Sequence, residues 1–180
     1  MLKNDMSEIL VSEEQLQETI KKLGATLAED YRGKNPEVIC IINGAIFFMA
    51  DLVRAMDCNL EIDFMDVSSY GNEFESSGEV RILKDLGQSV KDRHVIIVED
   101  IIDTGRTLKH VVELLKHRQA ASVKVVTLLD KPERREEAIE ADYVGVQVPN
   151  KFVVGYGLDF KQFYRNLPCI GVLKPEFYED

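Results

Sequence analysis

The sequence predicts an α/β fold in which a mostly parallel sheet is covered by helices on both faces. Short apolar runs alternate along the chain with segments whose apolar residues recur at helical spacing. Two of these runs, residues 38–42 (VICII) and 95–98 (VIIV), are apolar throughout, which is typical of strands buried on both sides. We find no repeats, low-complexity tracts or linkers, so we expect residues 1–180 to form a single domain.

The predicted elements follow one another along the whole chain. Ser12 and Gln15 have the spacing of a capping box, and the apolar residues that follow predict a helix of about five turns ending before Pro36. Polar, glycine-bearing residues 68–78 predict a mobile loop. The other predicted helices are residues 45–56, 107–117 and, short and charged, 133–139. The predicted strands are residues 38–42, 60–65, 80–83, 95–98, 123–129, 143–148 and 170–173.

The charge balance argues against a nucleic-acid or membrane-surface protein. Acidic residues outnumber basic residues by 32 to 22, which gives a formal charge of −10. Such a surface repels nucleic acids and anionic lipids unless it carries a basic patch. The two basic pairs, Lys21-Lys22 and Arg134-Arg135, are short and flanked by acids, so we expect no nucleic-acid partner.

The remaining composition predicts a reduced, cytoplasmic protein. An odd number of isolated cysteines argues against a disulfide framework, and no cysteine or histidine has zinc-ligand spacing. We expect structural roles for the three histidines. The first residues lack the apolar segment of a signal peptide, and no apolar run is long enough to span a membrane. The residues concerned are Cys40, Cys58, Cys169, His94, His110 and His117.

Residues 95–107 (VIIVEDIIDTGRT) carry the clearest indication of chemistry. In parallel sheets, ligands bind beyond the carboxyl ends of the strands, where we expect Glu99 and Asp100. The turn that follows leads into a predicted helix, whose free amides favour a phosphate. Carboxylates would repel a phosphate unless they contact ribose hydroxyls or a magnesium ion. The local chemistry therefore indicates a sugar phosphate.

This segment resembles the phosphoribosyl pyrophosphate (PRPP) motif of the type I phosphoribosyltransferases, and its EDIIDTG form more narrowly resembles the hypoxanthine(-guanine) phosphoribosyltransferases. Three further segments follow in the order of that family. Residues 42–52 resemble its first active-site loop, Ser69-Tyr70 its catalytic flap, and residues 151–160 with Arg165 its purine and metal segment. The resemblance implies the type I fold, with a core of about residues 36–148 and a small hood from about 1–15 and 149–180.

The resemblance also implies a purine-salvage enzyme that uses Mg²⁺ to join hypoxanthine, and guanine as well, to PRPP, giving IMP or GMP and pyrophosphate. It implies catalytic roles for Asp103, Ser69 and Tyr70. It implies PRPP binding by Asn43, Gly44, Glu99, Asp100, Asp103, Thr104, Gly105, Arg106, Thr107 and Arg165. It implies purine binding by Ile101, Lys131, Phe152, Val153 and Asp159. It implies metal binding by Glu99, Asp100 and Asp159.

By the same resemblance, Asp103 acts as general acid/base at the purine N7, Lys131 donates to O6, and Phe152 stacks on the base. Other roles remain open for these residues, since Asp103 could cap a helix and residues 152–154 could be a core strand. The family commonly has a cis peptide bond at Asn43-Gly44, and commonly has lysine or arginine in place of Asn43. With asparagine at this position, a positive charge that would lie near pyrophosphate or at a subunit contact is missing.

Two other functions fit the same fold. One is a regulator that binds nucleotide and RNA, which the missing basic patch disfavours. The other is a xanthine–guanine transferase, which a panel of purine bases separates from a hypoxanthine enzyme. By resemblance we also expect a homodimer or homotetramer.

Overall fold

Two sheets organise the chain in the computed structural model, which describes residues 2–69 and 80–178. The helices are α1 (Glu13–Asp30), α2 (Ile46–Ala55) and α3 (Arg106–His117). The strands are β1 (Met6–Val11), β2 (Glu37–Ile42), β3 (Glu61–Ser69), β4 (Val80–Lys84), β5 (His94–Ile102), β6 (Ser122–Asp130), β7 (Tyr143–Gln147), β8 (Val153–Val154) and β9 (Ile170–Leu173).

The larger sheet has the strand order β4-β3-β2-β5-β6-β7 and is parallel except for β4. Side chains alternate across its strands, which divides the apolar residues of β2 and β5 between two cores. Val38 and Cys40 pack in the core that holds α1 and α2, whereas Ile39 and Ile41 pack in the core that holds α3. The predicted sheet covered on both faces is confirmed.

The smaller sheet joins the two ends of the chain. Strand β9 lies between β1 and β8 and is antiparallel to both. Val11, Val153 and Val172 pack into the same core as α1 and α2, so this sheet lies against that side of the molecule. We call the described residues 2–15 and 149–178 the hood; they contain β1, β8 and β9. The hood strand β1 was not predicted, because residues 6–11 alternate weakly between apolar and polar side chains.

Most element predictions are confirmed to within a few residues. Ser12 and Gln15 form both hydrogen bonds of a capping box, with lengths of 3.2 and 2.8 Å, and α1 spans 18 residues. His94 has a structural contact, since its Nδ1 lies 2.8 Å from Ser122 Oγ. None of the helices among the described residues is long and apolar enough to cross a membrane.

Three predictions about elements are corrected. Residues 133–139 do not form a helix, because only Pro132–Arg134 makes a 3₁₀ turn and the amides of Glu136 and Glu137 donate to Thr104 O. Strand β3 extends through Ser69, so the first residues of the predicted loop are a strand, and residues 70–78 lie outside the described chain. Strand β5 continues to Ile102, four residues beyond its predicted end.

Candidate active site

The site residues meet at the carboxyl edge of the larger sheet, where β2, β5 and β6 are neighbours. Because the strands are parallel, the segments that follow them leave the sheet on the same side. In the register of β5 and β6, Ile102 pairs with Asp130, and the Lys131 amide donates to Ile102 O at 3.0 Å. This pairing places the residues after the two strands, Asp103 and Lys131, side by side.

Glu99 and Asp100 lie within β5, and not beyond its end as the sequence predicted. Glu99 is buried, and burial together with the neighbouring Asp100 raises the pKa of the Glu99 carboxyl well above its usual range. Burial also raises the pKa of Asp100 to about 6, although its hydrogen bond from the Ile101 amide opposes the change. A pair of adjacent buried carboxyls is costly unless a cation or hydroxyl groups compensate for it.

Gly44 brings the end of β2 against this carboxyl pair. A β-carbon at Gly44 would lie 1.7 Å from Asp100 Oδ2, so only glycine allows the two strands' ends to approach this closely. The peptide bond before Asn43, from Ile42 to Asn43, is cis. The sequence analysis placed the cis bond one residue later, between Asn43 and Gly44, and that assignment is wrong.

The turn between β5 and α3 encloses a cavity of about 110 Å³. Gly105 is the N-cap residue of α3 and has a left-handed backbone with φ of 84°, which glycine adopts without strain. Asp103 is therefore not the helix cap. Gly105 itself makes no side-chain cap, and the Arg106 amide donates to Thr104 Oγ1 at 3.4 Å. The N-terminus of α3 faces this turn, and a helix N-terminus favours an anion. The cavity is lined by Glu99, Ile101, Ile102, Asp103, Thr104, Gly105, Thr107 and Leu108.

Asp103 and Lys131 directly follow the paired strands β5 and β6 and interact electrostatically. Asp103 Oδ1 is buried and lacks a hydrogen-bond partner within the described residues, although Arg134 Nε lies 3.0 Å from it in an ion pair. Lys131 is only 7% exposed, and burial lowers the pKa of its ammonium group. The charge of Asp103 opposes that decrease and the charge of Arg134 adds to it. A carboxylate acceptor and an ammonium donor therefore lie close enough to interact electrostatically.

Hood residues provide the aromatic and cationic side of the site. Phe152 stacks on Tyr178, with ring centroids 4.8 Å apart, and meets the edge of Phe160 at 5.7 Å. Despite these contacts, Phe152 is still 39% exposed. Arg165 donates to Gly157 O at 2.7 Å and pairs with Asp159 at 2.9 Å. Arg165 and Asp159 act on the Asp100 carboxyl in opposite directions, the first lowering and the second raising its pKa.

Comparison with known proteins identifies the family. The phosphoribosyl transferase domain matches residues 7–161. The sequence is 56% identical to the hypoxanthine-guanine phosphoribosyltransferase of Bacillus subtilis (strain 168) over 99% of both chains. This chain belongs to the hypoxanthine-guanine phosphoribosyltransferases. The crystal structure of a hypoxanthine phosphoribosyltransferase from Staphylococcus aureus matches with a TM-score of 0.97 at 53% identity, covering 99% of this chain and 97% of that one.

The family also includes longer proteins. The bifunctional protein TilS/HprT of Listeria innocua is 60% identical to this chain over 177 residues. The match includes 98% of this chain but only 27% of the length of the longer protein. The type I phosphoribosyltransferase fold expected from the sequence is confirmed by the domain match and the structural neighbours.

Not every predicted residue of this phosphoribosyltransferase can be placed. Tyr70 lies outside the described residues, and only the backbone of Ser69 is described, at the end of β3. The Arg106 side chain pairs with Glu136 at 2.6 Å and is not among the residues that line the turn cavity. Val153 lies in β8 and is buried.

Three residues of the site were not predicted: Arg134, Arg135 and Tyr178. The arginine pair was visible in the sequence, but it was considered only as a basic patch. In addition, the helix predicted at residues 133–139 would have pointed the two arginines to different sides. For Tyr178 the sequence carried no local signal, because its contact with Phe152 depends on how the hood strands pair.

Proposed function

We propose that this chain transfers the 5-phosphoribosyl group of PRPP to hypoxanthine and guanine, forming IMP or GMP and releasing pyrophosphate. The observation that supports this most directly is the buried Asp103 Oδ1, which makes no hydrogen bond within the described residues apart from its 3.0 Å ion pair with Arg134 Nε. Asp103 lies beside the donor Lys131 and at the entrance to a turn suited to a phosphate. One acceptor and one donor fit the N7–H and O6 groups of a 6-oxopurine.

In the proposed reaction, N9 of the purine forms a bond with C1′ of the ribose while the bond from C1′ to pyrophosphate breaks. The leaving pyrophosphate takes the electron pair of that bond, and the proton on N7 passes to the carboxylate of Asp103. A positioned general base of this kind typically accelerates a reaction by about 10²–10⁴-fold. The Oδ1 of Asp103, which lies 3.0 Å from Arg134 Nε in an ion pair, supports this role because a carboxylate oxygen can accept the proton.

The base is held by groups that favour an oxo substituent. An ammonium group has donors only, so Lys131 accepts no hydrogen bond from the 6-amino group of adenine. A buried donor that loses its partner is costly, and sites of this type discriminate by roughly 10⁴–10⁵-fold. The exposed part of Phe152 offers a surface on which the purine stacks, and the Val153 main chain borders its Watson–Crick edge.

The 5′-phosphate binds in the turn after β5, at the N-terminus of α3, where Thr104 and Thr107 line the cavity and their hydroxyls can donate to it. Glu99 and Asp100 hold the ribose hydroxyls, and Asn43, Gly44 and Arg165 border the pyrophosphate. Arg165 has five N–H donors, and some of them contact Asp159, Gln162 and Gly157. The others can donate to the pyrophosphate.

The donor set fits Mg²⁺ that arrives with its substrate. Among the described residues no cluster of three or more acidic, histidine or cysteine side chains could hold a metal ion. Magnesium commonly keeps several waters and is held by one or two carboxylates together with substrate phosphates, which suits Glu99, Asp100 and Asp159. When bound, the ion neutralises charge that develops on the leaving pyrophosphate.

Several wider properties belong to the same proposal. The chain acts as one domain in the cytoplasm, with a core of about residues 36–148 and a hood from about residues 1–15 and 149–180. The segment carrying Ser69 and Tyr70 closes over the reacting atoms and excludes water. The enzyme functions as a homodimer or homotetramer, and it has no nucleic-acid or membrane partner.

The first test is a steady-state panel with PRPP, Mg²⁺ and each of hypoxanthine, guanine, xanthine and adenine. We expect turnover with hypoxanthine and guanine only. Preference for xanthine over hypoxanthine would instead favour a xanthine–guanine transferase. RNA retained in a filter-binding assay without turnover would favour the regulator.

The second test is Asp103→Asn. An amide cannot take the N7 proton, so we expect kcat to fall by about 10²–10⁴-fold while PRPP affinity, measured by calorimetry, changes little. A kcat equal to that of the unmodified chain would remove Asp103 from the mechanism. Glu133→Gln, at an exposed position near Lys131, is the matched control.

A further inference from the structure

The segment after β6 is built onto the turn that carries Asp103. We call residues 135–139 the brace. The amides of Glu136 and Glu137 both donate to Thr104 O, at 3.0 and 3.1 Å. The Glu137 carboxylate also accepts from Lys109 on α3 at 2.8 Å. The brace therefore contacts both the turn and the helix that follows it.

Arg135 is the one brace residue whose side chain reaches three separate segments. Its Nε donates to Asp103 O at 3.1 Å, and its Nη1 donates to Ile139 O at 2.5 Å. Its Nη2 makes a short ion pair with Asp130, the last residue of β6. The side chains of Arg135 and Asp130 are only 15% and 13% exposed, so solvent does not replace these contacts easily.

The brace packs directly against the turn as well. Around Gly105, the nearest atoms to an added β-carbon would be Ile139 Cγ2 at 2.7 Å and Arg135 Cδ at 3.1 Å. The absence of a side chain at Gly105 thus lets the stem of Arg135 lie against the main chain that forms the phosphate turn. Movement of this arginine and movement of the turn are coupled by contact.

We infer that Arg135 is a positioning residue, which holds the main chain of Asp103 in register with Lys131 so that the acid/base carboxyl and the purine donor keep a fixed separation. This inference rests on the proposed function. Arg135 binds Asp130, which directly precedes Lys131, and the carbonyl of Asp103 in one planar group. The guanidinium is suited to this task because its donors have a rigid geometry that lysine does not reproduce.

The role has a measurable consequence, because small displacements of reacting groups slow a reaction strongly. A displacement of about 1 Å can cost about 10²-fold in rate. We expect Arg135→Met to lower kcat by about 10- to 100-fold and Arg135→Lys by about tenfold. Proton transfer to a misplaced Asp103 should then limit the rate, so the solvent deuterium isotope effect on single-turnover transfer should rise above that of the unmodified chain.

A purely structural role is separated by a second substitution. Removing Arg135 leaves the Asp130 carboxylate buried without its partner, which by itself destabilises the protein. The double variant Asp130→Asn with Arg135→Met removes this charge. If Arg135 positions Asp103, thermal stability recovers in the double variant while the loss of kcat and the raised isotope effect remain.

Arg118→Met is the matched control, because Arg118 also makes a paired contact with one carboxylate, that of Asp85 at 2.6 Å, but near the opposite end of α3. Its kcat should equal that of the unmodified chain. Recovery of full kcat in the double variant would overturn the inference. If the methionine variants do not fold, Arg135→Lys decides: a kcat equal to that of the unmodified chain would overturn the inference. Absence of transfer to any purine by the unmodified chain would instead overturn the proposed function.

Discussion

Glu99 and Asp100 are adjacent carboxyls that the fold buries at a cost to its own stability. The folded-state pKa of Asp100 is raised to about 6, so the folded protein binds a proton more tightly than the unfolded chain does. The free energy of unfolding should therefore decrease as pH rises from about 4, the usual carboxyl pKa, towards 6. Such a cost at a binding site is the expected result of selection for activity over stability.

Replacing both carboxyls should accordingly stabilise the ligand-free protein. We expect Glu99→Gln with Asp100→Asn to raise the free energy of unfolding at pH 7.5 by on the order of 1–3 kcal/mol, and to flatten its dependence on pH between 4 and 6. Urea unfolding across that pH range measures both effects. Glu18→Gln, at an exposed position on α1, is the control. Equal or lower stability of the double variant at pH 7.5 would contradict the prediction.

Lys131 carries a second pH effect: burial is again the main cause, but here it lowers the pKa instead of raising it. Burial lowers the pKa of its ammonium group, the charge of Asp103 opposes the decrease, and the charge of Arg134 reinforces it. We expect Arg134→Gln to raise the Lys131 pKa and Asp103→Asn to lower it further. Purine affinity that depends on the ammonium is lost as pH rises through the lowered pKa.

An NMR titration of ¹³C-labelled lysine side chains measures the Lys131 pKa directly, with the signal assigned by Lys131→Arg. The exposed Lys116 provides a reference lysine signal in the same spectra. If both substitutions move the Lys131 pKa in the same direction, the charges of Asp103 and Arg134 do not act on it as the structure indicates.

At the scale of single residues, the sequence was sufficient to predict a site residue where its residue type occurs in few structural contexts. Adjacent acids after a buried strand and a glycine in a polar turn pointed to a sugar phosphate, and the structure brings Glu99, Asp100 and Gly105 to one edge of the sheet. Arg135 was missed because two of its three contacts are with main-chain carbonyl groups, those of Asp103 and Ile139. Main-chain carbonyls are present everywhere, so a sequence does not indicate which of them an arginine will reach.

At the scale of elements, buried strands and amphipathic helices were predictable, and their ends less so. Apolar content marks where β5 begins, but its last residues include two acids, which the pattern assigned to a loop. Residues 133–139 have the composition of a charged helix, yet their amides bind the turn after β5. Tertiary hydrogen bonds thus prevail over a weak helical preference.

The junction of β2 with β5 provides a test at this scale. In Gly44→Ala the added methyl group would lie 1.7 Å from Asp100 Oδ2, so Asp100 or the end of β2 must move. We expect the affinity for Mg²⁺ and PRPP, measured by calorimetry, to fall by about tenfold or more because the ribose and pyrophosphate groups lose their alignment.

Gly87→Ala is the matched control for that substitution. A β-carbon at Gly87 would have only ordinary contact, 3.7 Å from Asp63 Oδ2, and Gly87 lies outside the site. Its PRPP affinity should be unchanged. Unchanged affinity in Gly44→Ala would show that Asp100 can move aside without loss.

At the scale of the whole molecule, the hood connects the chain ends to the proposed purine site. Strand β9 holds β1 on one side and β8 on the other, and so it joins residues 6–11 to residues 153–154. Pairing between such distant segments is not readable from local patterns, which explains why the resemblance predicted a hood but the elements alone did not. The same pairing brings Tyr178, near the end of the chain, onto the ring of Phe152.

This contact predicts that the chain end contributes to base binding. Stacked aromatic pairs contribute about 0.5–1.5 kcal/mol, so Tyr178→Ala should leave Phe152 less rigidly held and raise KM for hypoxanthine about two- to tenfold. Tyr178→Phe keeps the ring and should retain the original KM, and Phe177→Ala removes a neighbouring exposed ring as a further control. KM for PRPP should not change in any of the three, because the phosphate turn lies on a different sheet. A parallel rise of both KM values in Tyr178→Ala would mean that the chain end supports the fold as a whole and not the orientation of Phe152.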